Sequence, residues 1–269
     1  MEKPVVSVIM GVYNCKSFEL LQKSVESIIT QTFENWEFII CNDGSTDDTL
    51  INLQIIEEMD SRIHLLTYEI NVGLNHALNT CIEAATGKYL ARQDDDDISD
   101  RTRLEKQIAF MESHPEYDIV GANAIIFDDK GAWGHYVVAE NPEKKDFLWN
   151  SPFIHPVTMM KKQSVEKAGR YWVAKETRRC EDYDLFMRMY SFGMKGYNIQ
   201  EELYQYRMIN DSNKKYRPMK YRVDEAKVRL YGYKNMGILI KGIPYVLKPI
   251  LIGLIPTRLF SKIRAKQYL

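Results

Sequence analysis

The 269-residue sequence is poor in the features that mark several classes of protein. Its four cysteines lie far apart and form no CxxC pair, which argues against a zinc site and favours reduced thiols in a cytosolic setting. Its 36 basic and 37 acidic residues nearly cancel, so no overall field favours nucleic acid as a partner. No internal repeat, low-complexity linker or secretory signal is recognisable. These absences leave a globular protein large enough to bury a sizeable core.

The chain also lacks an uninterrupted apolar run of the ~20 residues that a transmembrane helix needs. Its most apolar segment, residues 236–269, is interrupted by three prolines and by Lys248. Basic and apolar residues together suit a helix or helical hairpin that lies in an anionic membrane surface. A C-terminal helix packed on the protein's own core is the alternative. We predict a main domain over residues 1–215 and a helical, basic and apolar extension over residues 216–269.

Short apolar stretches alternate with helical patterns through the first half of the chain. Strands are predicted over residues 5–12, 36–41, 63–68 and 89–91. Helical spacing of apolar residues follows each of these stretches, and Ser17 suits the cap of the first helix. This alternation predicts an α/β fold with a doubly wound, mostly parallel sheet flanked by helices. The turns at Tyr13, Asp43, Gly73 and Asp94 would then meet at one edge of the sheet.

The second half gives weaker patterns. Strands are predicted over residues 117–127 and 199–207, and helices over residues 141–150, 164–168, from about 180 and over 219–236. Pro142 suits the first turn of the helix predicted over residues 141–150. The helix that starts near residue 180 carries Glu181, Asp182 and Asp184 in its first turn, where the helix dipole favours negative charge.

Four consecutive aspartates, Asp94 to Asp97, follow the strand that ends near Ala91. Four adjacent carboxylates repel one another and cannot be buried without compensation. Open α/β sheets bind ligands at the carboxyl edge, and hard oxygen ligands there suit Mg²⁺ or Mn²⁺ that carries a diphosphate. The plain alternative is a solvated acidic loop that also caps the next helix.

The combined pattern resembles the family 2 inverting glycosyltransferases, which have the GT-A fold. The matching segments follow one another over about residues 4–210: VIMGVYN at 8–14, FIICNDGSTD at 38–47, NVGLNHALN at 71–79, ARQDDDD at 91–97, HP at 155–156 and EDY at 181–183. The resemblance implies a Rossmann-like GT-A domain. Its nucleotide-sugar half would cover about residues 1–98 and its acceptor half about residues 99–215.

The resemblance further implies a nucleotide-sugar donor, most often a UDP-sugar in this family. Tyr13 would lie against the base, and Asp43 would accept a hydrogen bond from uracil N3–H. Asp94 and Asp96 match the DxD motif, with Asp96 as the main ligand of Mn²⁺ or Mg²⁺ and Asp94 nearer the ribose and the metal. Asp95 and Asp97 are competing candidates. The other residues expected near the nucleotide sugar are Asn14, Asn71, Gly73, Asn75, Arg92 and Asp95, and a purely conformational role is an equal alternative for Gly73.

The family resemblance also implies the catalytic groups. The acceptor hydroxyl needs a general base, which would be Asp182, with Glu181 beside it. A divalent cation would stabilise the leaving diphosphate as a Lewis acid, and a single displacement would invert the anomeric carbon. The alternative for the acidic cluster is simple capping of a helix N-terminus.

Two further positions are expected near the acceptor or the diphosphate. His155 lies in a segment that borders the acceptor site in the family, although a lone histidine before proline is usually structural. Many relatives carry a histidine just after position 207, and this chain has none at residues 208–210. Arg207, Lys214 and Lys215 are the candidates for positive charge in its place.

These inferences predict an inverting glycosyltransferase that moves a sugar from a UDP-sugar to a glycan or lipid-linked saccharide at the inner face of a bacterial membrane. One alternative is a non-catalytic subunit of a polysaccharide synthase that binds nucleotide sugars or glycans. Another is a sugar nucleotidyltransferase, which needs a basic, glycine-rich loop after the first strand. Residues 11–15 lack such a loop.

Overall fold

A computed structural model describes residues 3–209, 218–255 and 268. Its first half contains strands β1 (Val6–Val12), β2 (Trp36–Asn42), β3 (Ile63–Thr67) and β4 (Tyr89–Arg92), and helices α1 (Phe18–Ile29), α2 (Thr49–Glu57) and α3 (Leu74–Ala84). The four strands are parallel and lie in the order β3-β2-β1-β4. The predicted alternation of strands and helices is therefore confirmed, and each observed boundary differs from the predicted one by a few residues at most.

The second half completes the sheet with a different topology. It contains strands β5 (Ile98–Ser99), β6 (Ile119–Asp128), β7 (Gly131–Tyr136), β8 (Met159–Lys161) and β9 (Gly196–Arg207), and helices α4 (Arg103–Ser113), α5 (Lys162–Lys167), α6 (Glu181–Ser191), α7 (Met219–Met236) and α8 (Leu239–Gly253). The sheet continues as β4-β8-β6-β9-β5, and β7 pairs with β6. In this half β6 and β9 are parallel, whereas the other pairs are antiparallel. The predicted α/β class is confirmed, with parallel pairing concentrated in the first half.

Side chains that alternate along the central strands build a core on each face of the sheet. Val8 and Met10 of β1 belong to a core that includes residues of α1 and α4. Ile9 between them points to the opposite face and belongs to a core that includes residues of α3 and α6. Because β1 is covered on both faces, it consists almost entirely of apolar residues.

The structure differs from the sequence-based prediction at residues 141–150. The helix predicted over residues 141–150 is a single 3₁₀ turn, Lys144–Leu148. Tertiary contacts hold the segment just before Phe147, because Tyr190 Oη donates to the Pro142 carbonyl and Lys144 Nζ donates to the Met236 carbonyl. These contacts fix a path that a regular helix of ten residues would not follow. Lys214 and Lys215, two of the predicted cationic candidates, lie outside the described residues.

The C-terminal helices pack on the main domain and on each other. Val228, Tyr233 and Met236 of α7 belong to the same core as α3 and α6. Helix α8 packs closely on α7 at Gly242, where a Cβ atom would lie only 2.4 Å from the Tyr233 ring. The extension is therefore anchored to the α/β domain through α7, and α8 forms the outer layer.

One face of α8 is exposed and apolar. Its residues recur at the three- and four-residue intervals of a single helical stripe: Ile240, Ile243, Leu247, Leu251 and Leu254. The side chain of Ile240 is 88% exposed, and the opposite face carries the buried Gly242 and Pro249. Among the described helices, none combines the length and apolar character required to cross a bilayer.

Candidate active site

The carboxyl edge of the parallel strands holds the first part of the site. Asp43 is buried at the end of β2, and its carboxylate organises the loop that precedes α3. Asp43 Oδ1 accepts from Val72 N at 2.9 Å, and Oδ2 accepts from Gly73 N at 2.9 Å and Asn71 Nδ2 at 2.8 Å. Gly73 has a φ of +104°, a left-handed conformation that glycine adopts without strain. Two of the predicted strand-end turns therefore meet through direct hydrogen bonds.

The loop after β1 joins the same edge. Asn14 has a φ of +48°, and its side-chain Oδ1 accepts from Thr46 N at 2.9 Å. Asn14 N donates to Ser45 Oγ at 3.0 Å, so the loops after β1 and β2 are tied together. The neighbouring Tyr13 side chain is 47% exposed. The tied loops therefore leave a large aromatic ring at the surface beside Asp43.

Asn75 faces into the protein rather than along the sheet edge. Its side-chain Nδ2 donates to the Trp172 carbonyl at 2.8 Å and to Thr177 Oγ1 at 3.0 Å. Thr177 Oγ1 also donates to the Trp172 carbonyl at 2.6 Å. Asn75 therefore attaches the segment between α5 and α6 to the first turn of α3.

The aspartate run begins beside a buried cation. The Arg92 side chain is 1% exposed, and its Nη2 lies 2.5 Å from Asp94 Oδ1. Burial acts to lower the pKa of Arg92, but Asp94 and nearby Tyr171, Tyr204 and Glu181 together raise it. Arg92 therefore stays charged in the interior and holds the Asp94 carboxylate in place.

Two cations from distant parts of the chain surround Asp96. Lys16 Nζ, from the loop after β1, lies 2.6 Å from Asp96 Oδ2. Arg207 Nη1, at the end of β9, lies 3.8 Å from the same oxygen. Arg207 Nη2 also contacts Asp129 Oδ1 at 2.6 Å, and its side chain is 6% exposed. The predicted residues Asp96 and Arg207 are thus brought together, although 111 residues separate them in the chain.

The other two aspartates are strongly affected by burial. Burial and the carboxylates of Asp96 and Asp94 raise the pKa of Asp95 to about 7. Burial and Asp94 also raise the pKa of Asp97 well above its usual range. Asp97 Oδ1 accepts from Arg207 N at 2.6 Å, whereas Oδ2 is buried without a hydrogen-bond partner. Asp97 therefore helps to hold the end of β9 against the aspartate run.

The acidic start of α6 lies in the same electrostatic neighbourhood. Burial and Asp182 raise the pKa of Glu181 to about 7, and Asp94 raises it further, while Arg92 opposes the shift. Tyr171 is affected at once by Arg92, Glu181, Asp182 and Asp94. The charges at the end of β4 are therefore close enough to the start of α6 to affect pKa values there.

His155 and Tyr171 form a pair between these two acidic sets. His155 Nε2 lies 2.7 Å from Tyr171 Oη. Burial and the positive charge of Arg92 hold the pKa of His155 well below its usual range. Burial also raises the pKa of Tyr171. A neutral histidine and a neutral tyrosine therefore share one hydrogen bond beside Arg92.

A cavity of about 250 Å³ opens beside Asp182. Asp182, His155 and Tyr206 contribute to its walls, and α7 contributes Glu225 and Arg229. Aromatic rings from three separate segments complete much of the lining. The cavity therefore has both carboxylates and apolar ring surfaces, a combination suited to a ligand that carries hydroxyl groups.

Helix α8 reaches the edge of this cavity through Lys248. Lys248 Nζ lies 3.6 Å from the centroid of the Trp149 ring and donates to the Trp149 carbonyl and to Asn150 Oδ1. Asn150 lines the cavity. Arg229 Nη2 of α7 donates to the same Trp149 carbonyl at 3.2 Å. Residues 149 and 150 therefore connect both C-terminal helices to the cavity.

The sequence model described as "Glycosyl transferase family 2" matches residues 7–169, more than half of the chain. The chain belongs to glycosyltransferase family 2. The matched region contains the strand-end loops, the aspartate run and the His155 segment, and Asp182 lies beyond it. The predicted family is confirmed, and the protein is a glycosyltransferase.

Curated relatives match this glycosyltransferase along nearly its whole length. It is 38% identical over 265 residues to EpsE of Bacillus subtilis strain 168, covering 98% of this chain and 94% of that protein. It is 31% identical over 261 residues to the amylovoran biosynthesis glycosyltransferase AmsE of Erwinia amylovora, covering 95% and 96%. An Escherichia coli UDP-Gal:α-D-GlcNAc-diphosphoundecaprenol β-1,3-galactosyltransferase is 28% identical over 265 residues, covering 95% and 94%.

Solved structures show the same fold. The crystal structure of S. aureus TarS residues 1–349 with UDP-GlcNAc superposes with a TM-score of 0.69 at 17% identity, over 90% of this chain and 72% of that chain. The mannosyltransferase PcManGT from Pyrobaculum calidifontis, with GDP-Man and Mn²⁺, gives a TM-score of 0.64 at 16% identity, over 99% and 76%. The predicted GT-A fold is confirmed for this glycosyltransferase.

The aspartate run offers oxygen ligands of the kind that Mg²⁺ and Mn²⁺ prefer. Within the described residues, no group of three or more histidine, cysteine or acidic side chains has the arrangement of a metal site. Mg²⁺ commonly uses one or two carboxylates and completes its shell with phosphate oxygens and water. The Asp94 and Asp96 side chains are 32% and 20% exposed, so their oxygens are open to a ligand. The donor set therefore fits a cation that arrives with a diphosphate.

Several residues of this glycosyltransferase site were missed by reasoning from the sequence. Lys16 could have been found, because it follows β1 at the same sheet edge as Tyr13. Tyr171 and Glu225 had no such signal, since each lies in a region whose pattern did not indicate proximity to the site. Tyr204 Oη accepts a hydrogen bond from Asp94 N at 3.3 Å. Tyr204 lies within a predicted strand, and the strand pattern does not distinguish it from the neighbouring residues.

Proposed function

We propose that this protein is an inverting glycosyltransferase that transfers a sugar from a UDP-sugar to a hydroxyl group of a lipid-linked saccharide or growing polysaccharide. The observation that carries the proposal is how close the aspartate run lies to the cavity that Asp182 lines. Arg92, which pairs with Asp94, donates its backbone N–H to the Thr158 carbonyl at 2.9 Å, and His155 of the same segment lines the cavity with Asp182. In the proposed reaction, the charged residues at the aspartate run receive the leaving diphosphate, and Asp182 takes the proton of the incoming alcohol.

The donor assignment is supported by the loops at the sheet edge. The exposed Tyr13 ring can stack on a base, and Asp43 is an acceptor fixed by three hydrogen bonds. The TarS structure, which has the same fold, contains UDP-GlcNAc. We assign the nucleotide to the surface formed by Tyr13, Asn14, Asp43 and the loop at residues 71–73.

The leaving diphosphate requires positive charge. Asp96 and Asp94 would hold a divalent cation, which when bound stabilises the departing diphosphate as a Lewis acid. Lys16 and Arg207 contact Asp96 and can pair with phosphate oxygens. Arg92 fixes Asp94 from the buried side. The PcManGT structure, of the same fold, contains Mn²⁺.

The acceptor hydroxyl must lose a proton as the new glycosidic bond forms. We assign Asp182 as the general base that takes this proton, with Glu181 as its neighbour at the start of α6. The bond from the anomeric carbon to the phosphate oxygen breaks as the bond to the acceptor oxygen forms on the opposite face. The sugar configuration is therefore inverted, and no covalent enzyme intermediate is needed.

The acceptor is proposed to be presented at a membrane surface. The exposed apolar stripe of α8 has the spacing of a helix that lies in a lipid interface. No acidic residue occurs after Glu225, whereas nine lysines and arginines do. A related E. coli enzyme acts on a diphosphoundecaprenol-linked sugar. We therefore place the protein at the inner face of the bacterial membrane, bound through α8 and the residues after it.

The test is a panel of UDP- and GDP-sugars incubated with the purified protein and a butanol extract of bacterial membrane lipids. We expect metal-dependent hydrolysis of a UDP-sugar and transfer of its labelled sugar to the lipid fraction. Asp182→Asn should retain UDP binding in calorimetry and lose transfer by about 10²- to 10⁴-fold, the usual contribution of a general base.

Three results would count against the proposal. Full transfer by Asp182→Asn would exclude that residue as the base. Unchanged turnover in EDTA would argue against the cation. Binding of UDP-sugars with neither hydrolysis nor transfer would favour the alternative of a non-catalytic binding subunit.

A further inference from the structure

Helix α7 contributes directly to the cavity that Asp182 lines. Its residues Glu225 and Arg229 form part of the cavity wall, although both lie beyond residue 215, where the predicted main domain ends. We propose that Glu225 binds hydroxyl groups of the acceptor saccharide and thereby helps to select it. This inference rests on the proposed transfer reaction and adds a binding residue on the C-terminal extension.

The position of the Glu225 carboxylate is fixed by Arg229. Arg229 Nε and Nη2 both contact Glu225 Oε1, at 3.0 and 2.9 Å. The Arg229 side chain is 2% exposed and that of Glu225 is 15% exposed. Arg229 Nη1 also donates to Tyr233 Oη at 2.8 Å and to the Leu148 carbonyl at 3.1 Å. A buried and fully engaged arginine therefore holds a carboxylate at the cavity wall.

The two carboxylates of the cavity, which also contains Arg179 and Arg229, favour an alcohol as their ligand. A carboxylate only accepts hydrogen bonds, so it suits the hydroxyl groups of a sugar and repels phosphate oxygens. Asp182, on another wall, carries the same type of group. Tyr183 and Phe153 add ring surfaces on which the apolar face of a sugar can pack. The donor diphosphate would instead meet Lys16 and Arg207, which contact Asp96.

The cavity also opens where a lipid-linked acceptor would arrive. Asn150 lines the cavity, and both Asn150 and the adjacent Trp149 contact Lys248 of α8. The Trp149 side chain is 60% exposed, and the apolar stripe lies on α8. An acceptor anchored in lipid would therefore enter close to the helix that we place at the membrane.

The experiment compares Glu225→Gln with the native chain in sugar transfer from the UDP-sugar to butanol-extracted lipid-linked saccharides. We expect the KM for the lipid fraction to rise about 10- to 100-fold, because a hydrogen bond to a charged group is lost. The KM for the UDP-sugar should change by less than about twofold, since Glu225 lies on α7 and outside the donor loops. Glu201→Gln, an exposed residue paired with Lys106, is the matched control and should change neither value.

A second variant separates binding from folding. Glu225→Asp keeps the negative charge beside Arg229 but shortens the side chain, so a purely structural role predicts KM values that change in parallel for both substrates. A binding role predicts a raised KM for the lipid fraction again, because the carboxylate is withdrawn by one methylene. Equal KM values in all variants would overturn the inference, as would a parallel rise for donor and acceptor. A native chain that neither hydrolyses the donor nor transfers its sugar would instead contradict the proposed function, and the acceptor site with it.

Discussion

Four aspartates stand in a row at the end of β4, and each has a different environment. Asp94 is paired with buried Arg92, and Asp96 is paired with Lys16. Asp97 is buried against the backbone of β9, and Asp95 has a pKa raised to about 7. The sequence predicted the cluster and its chemistry. It could not rank the four residues, because their partners come from loops that are distant in the chain.

The contact between Lys16 and Asp96 predicts an effect on metal binding. Lys16→Met removes the cation that competes for Asp96, so the protein should bind Mn²⁺ about two- to fivefold more tightly, as expected for an exposed ion pair. Electron paramagnetic resonance of free Mn²⁺ in a titration without nucleotide gives the affinity directly. Lys23→Met, which breaks a comparable exposed pair with Glu19, should leave the affinity unchanged. A weaker or unaltered affinity in Lys16→Met would contradict a role for Asp96 as a metal ligand.

The raised pKa of Glu181 predicts how stability depends on pH. Burial and Asp182 raise this pKa from 4.5 to about 7 in the folded chain, so the folded state binds the proton more tightly than the unfolded state does. The resulting stabilisation is full below about pH 4.5 and is lost as the pH rises towards 7. Glu181→Gln has no carboxyl group to titrate at this position. The free energy of unfolding of the variant minus that of the native chain should therefore be more positive at pH 8 than at pH 5, by about 1 to 3 kcal/mol.

Urea unfolding of both proteins at the two pH values measures this difference. Glu201→Gln removes a carboxylate that is 56% exposed, and it serves as the control with no expected dependence on pH. An identical difference between Glu181→Gln and the native chain at pH 5 and pH 8 would show that Glu181 titrates normally.

At the scale of elements, the sequence predicted the first half of the fold well. Strands β1 to β4 are short apolar runs bounded by turns, and local pattern alone determines them. The 3₁₀ turn at Lys144–Leu148 was predicted as a longer helix, because Pro142 and the polar residues around it are compatible with one. Contacts from Tyr190 and from the end of α7 decide its path, and no local pattern contains them.

The apolar stripe of α8 makes a prediction about membranes. The double substitution Ile243→Glu and Leu247→Glu should reduce binding to vesicles that contain anionic lipid by at least about tenfold, because each buried aliphatic side chain contributes about 1.5 to 3 kcal/mol. Co-sedimentation with phosphatidylglycerol-containing vesicles measures the bound fraction. Both side chains are exposed, so the fold should tolerate the change.

The chain offers a matched control for this experiment. Ile51 and Ile55 are exposed on α2, which is far from α8 in the sequence. Their double substitution by glutamate changes charge and hydrophobicity equally and should leave vesicle binding unchanged. If both double variants bind vesicles like the native chain, α8 is not the membrane-binding element.

At the scale of the whole molecule, charge is divided unevenly along a chain whose net charge is only −1. All 37 acidic residues lie within the first 225 residues, which contain 27 basic residues and have a net charge of −10. The remaining 44 residues contain nine basic residues and no acidic ones. The balanced composition therefore conceals a strongly polarised sequence.

This division predicts that vesicle binding depends on both salt and lipid charge. Binding to anionic vesicles should fall by about tenfold or more as salt is raised from low to well above physiological concentration, because screening weakens the attraction of lysine and arginine to lipid headgroups. Flotation of the protein with neutral and anionic vesicles across a salt series tests this expectation. Equal binding to neutral and anionic vesicles at every salt concentration would leave no role for the basic segment.

The least predictable property of the molecule was which residues, distant in the sequence, the fold brings together. Sequence motifs indicated Asp94, Asp96 and Asp182 separately, and the fold brings Asp94 into electrostatic contact with the start of α6. Motifs gave no indication that Glu225 lines the same cavity as Asp182, because α7 follows the last matching motif by more than thirty residues. Packing of α7 on the main core creates that proximity, and packing is a property of the folded chain alone.

The Trp149 carbonyl accepts hydrogen bonds from Arg229 and Lys248. These contacts matter for any truncated form of the protein. Ending the polypeptide at Met236 would be a natural way to obtain a sample that crystallises more readily. The shortened enzyme would lose Lys248 and with it one of the two donors to that oxygen, along with the cover over the indole ring. By the proposed function, Asp182 would remain as the base, yet the preference of the shortened protein among acceptors would differ from that of the full chain.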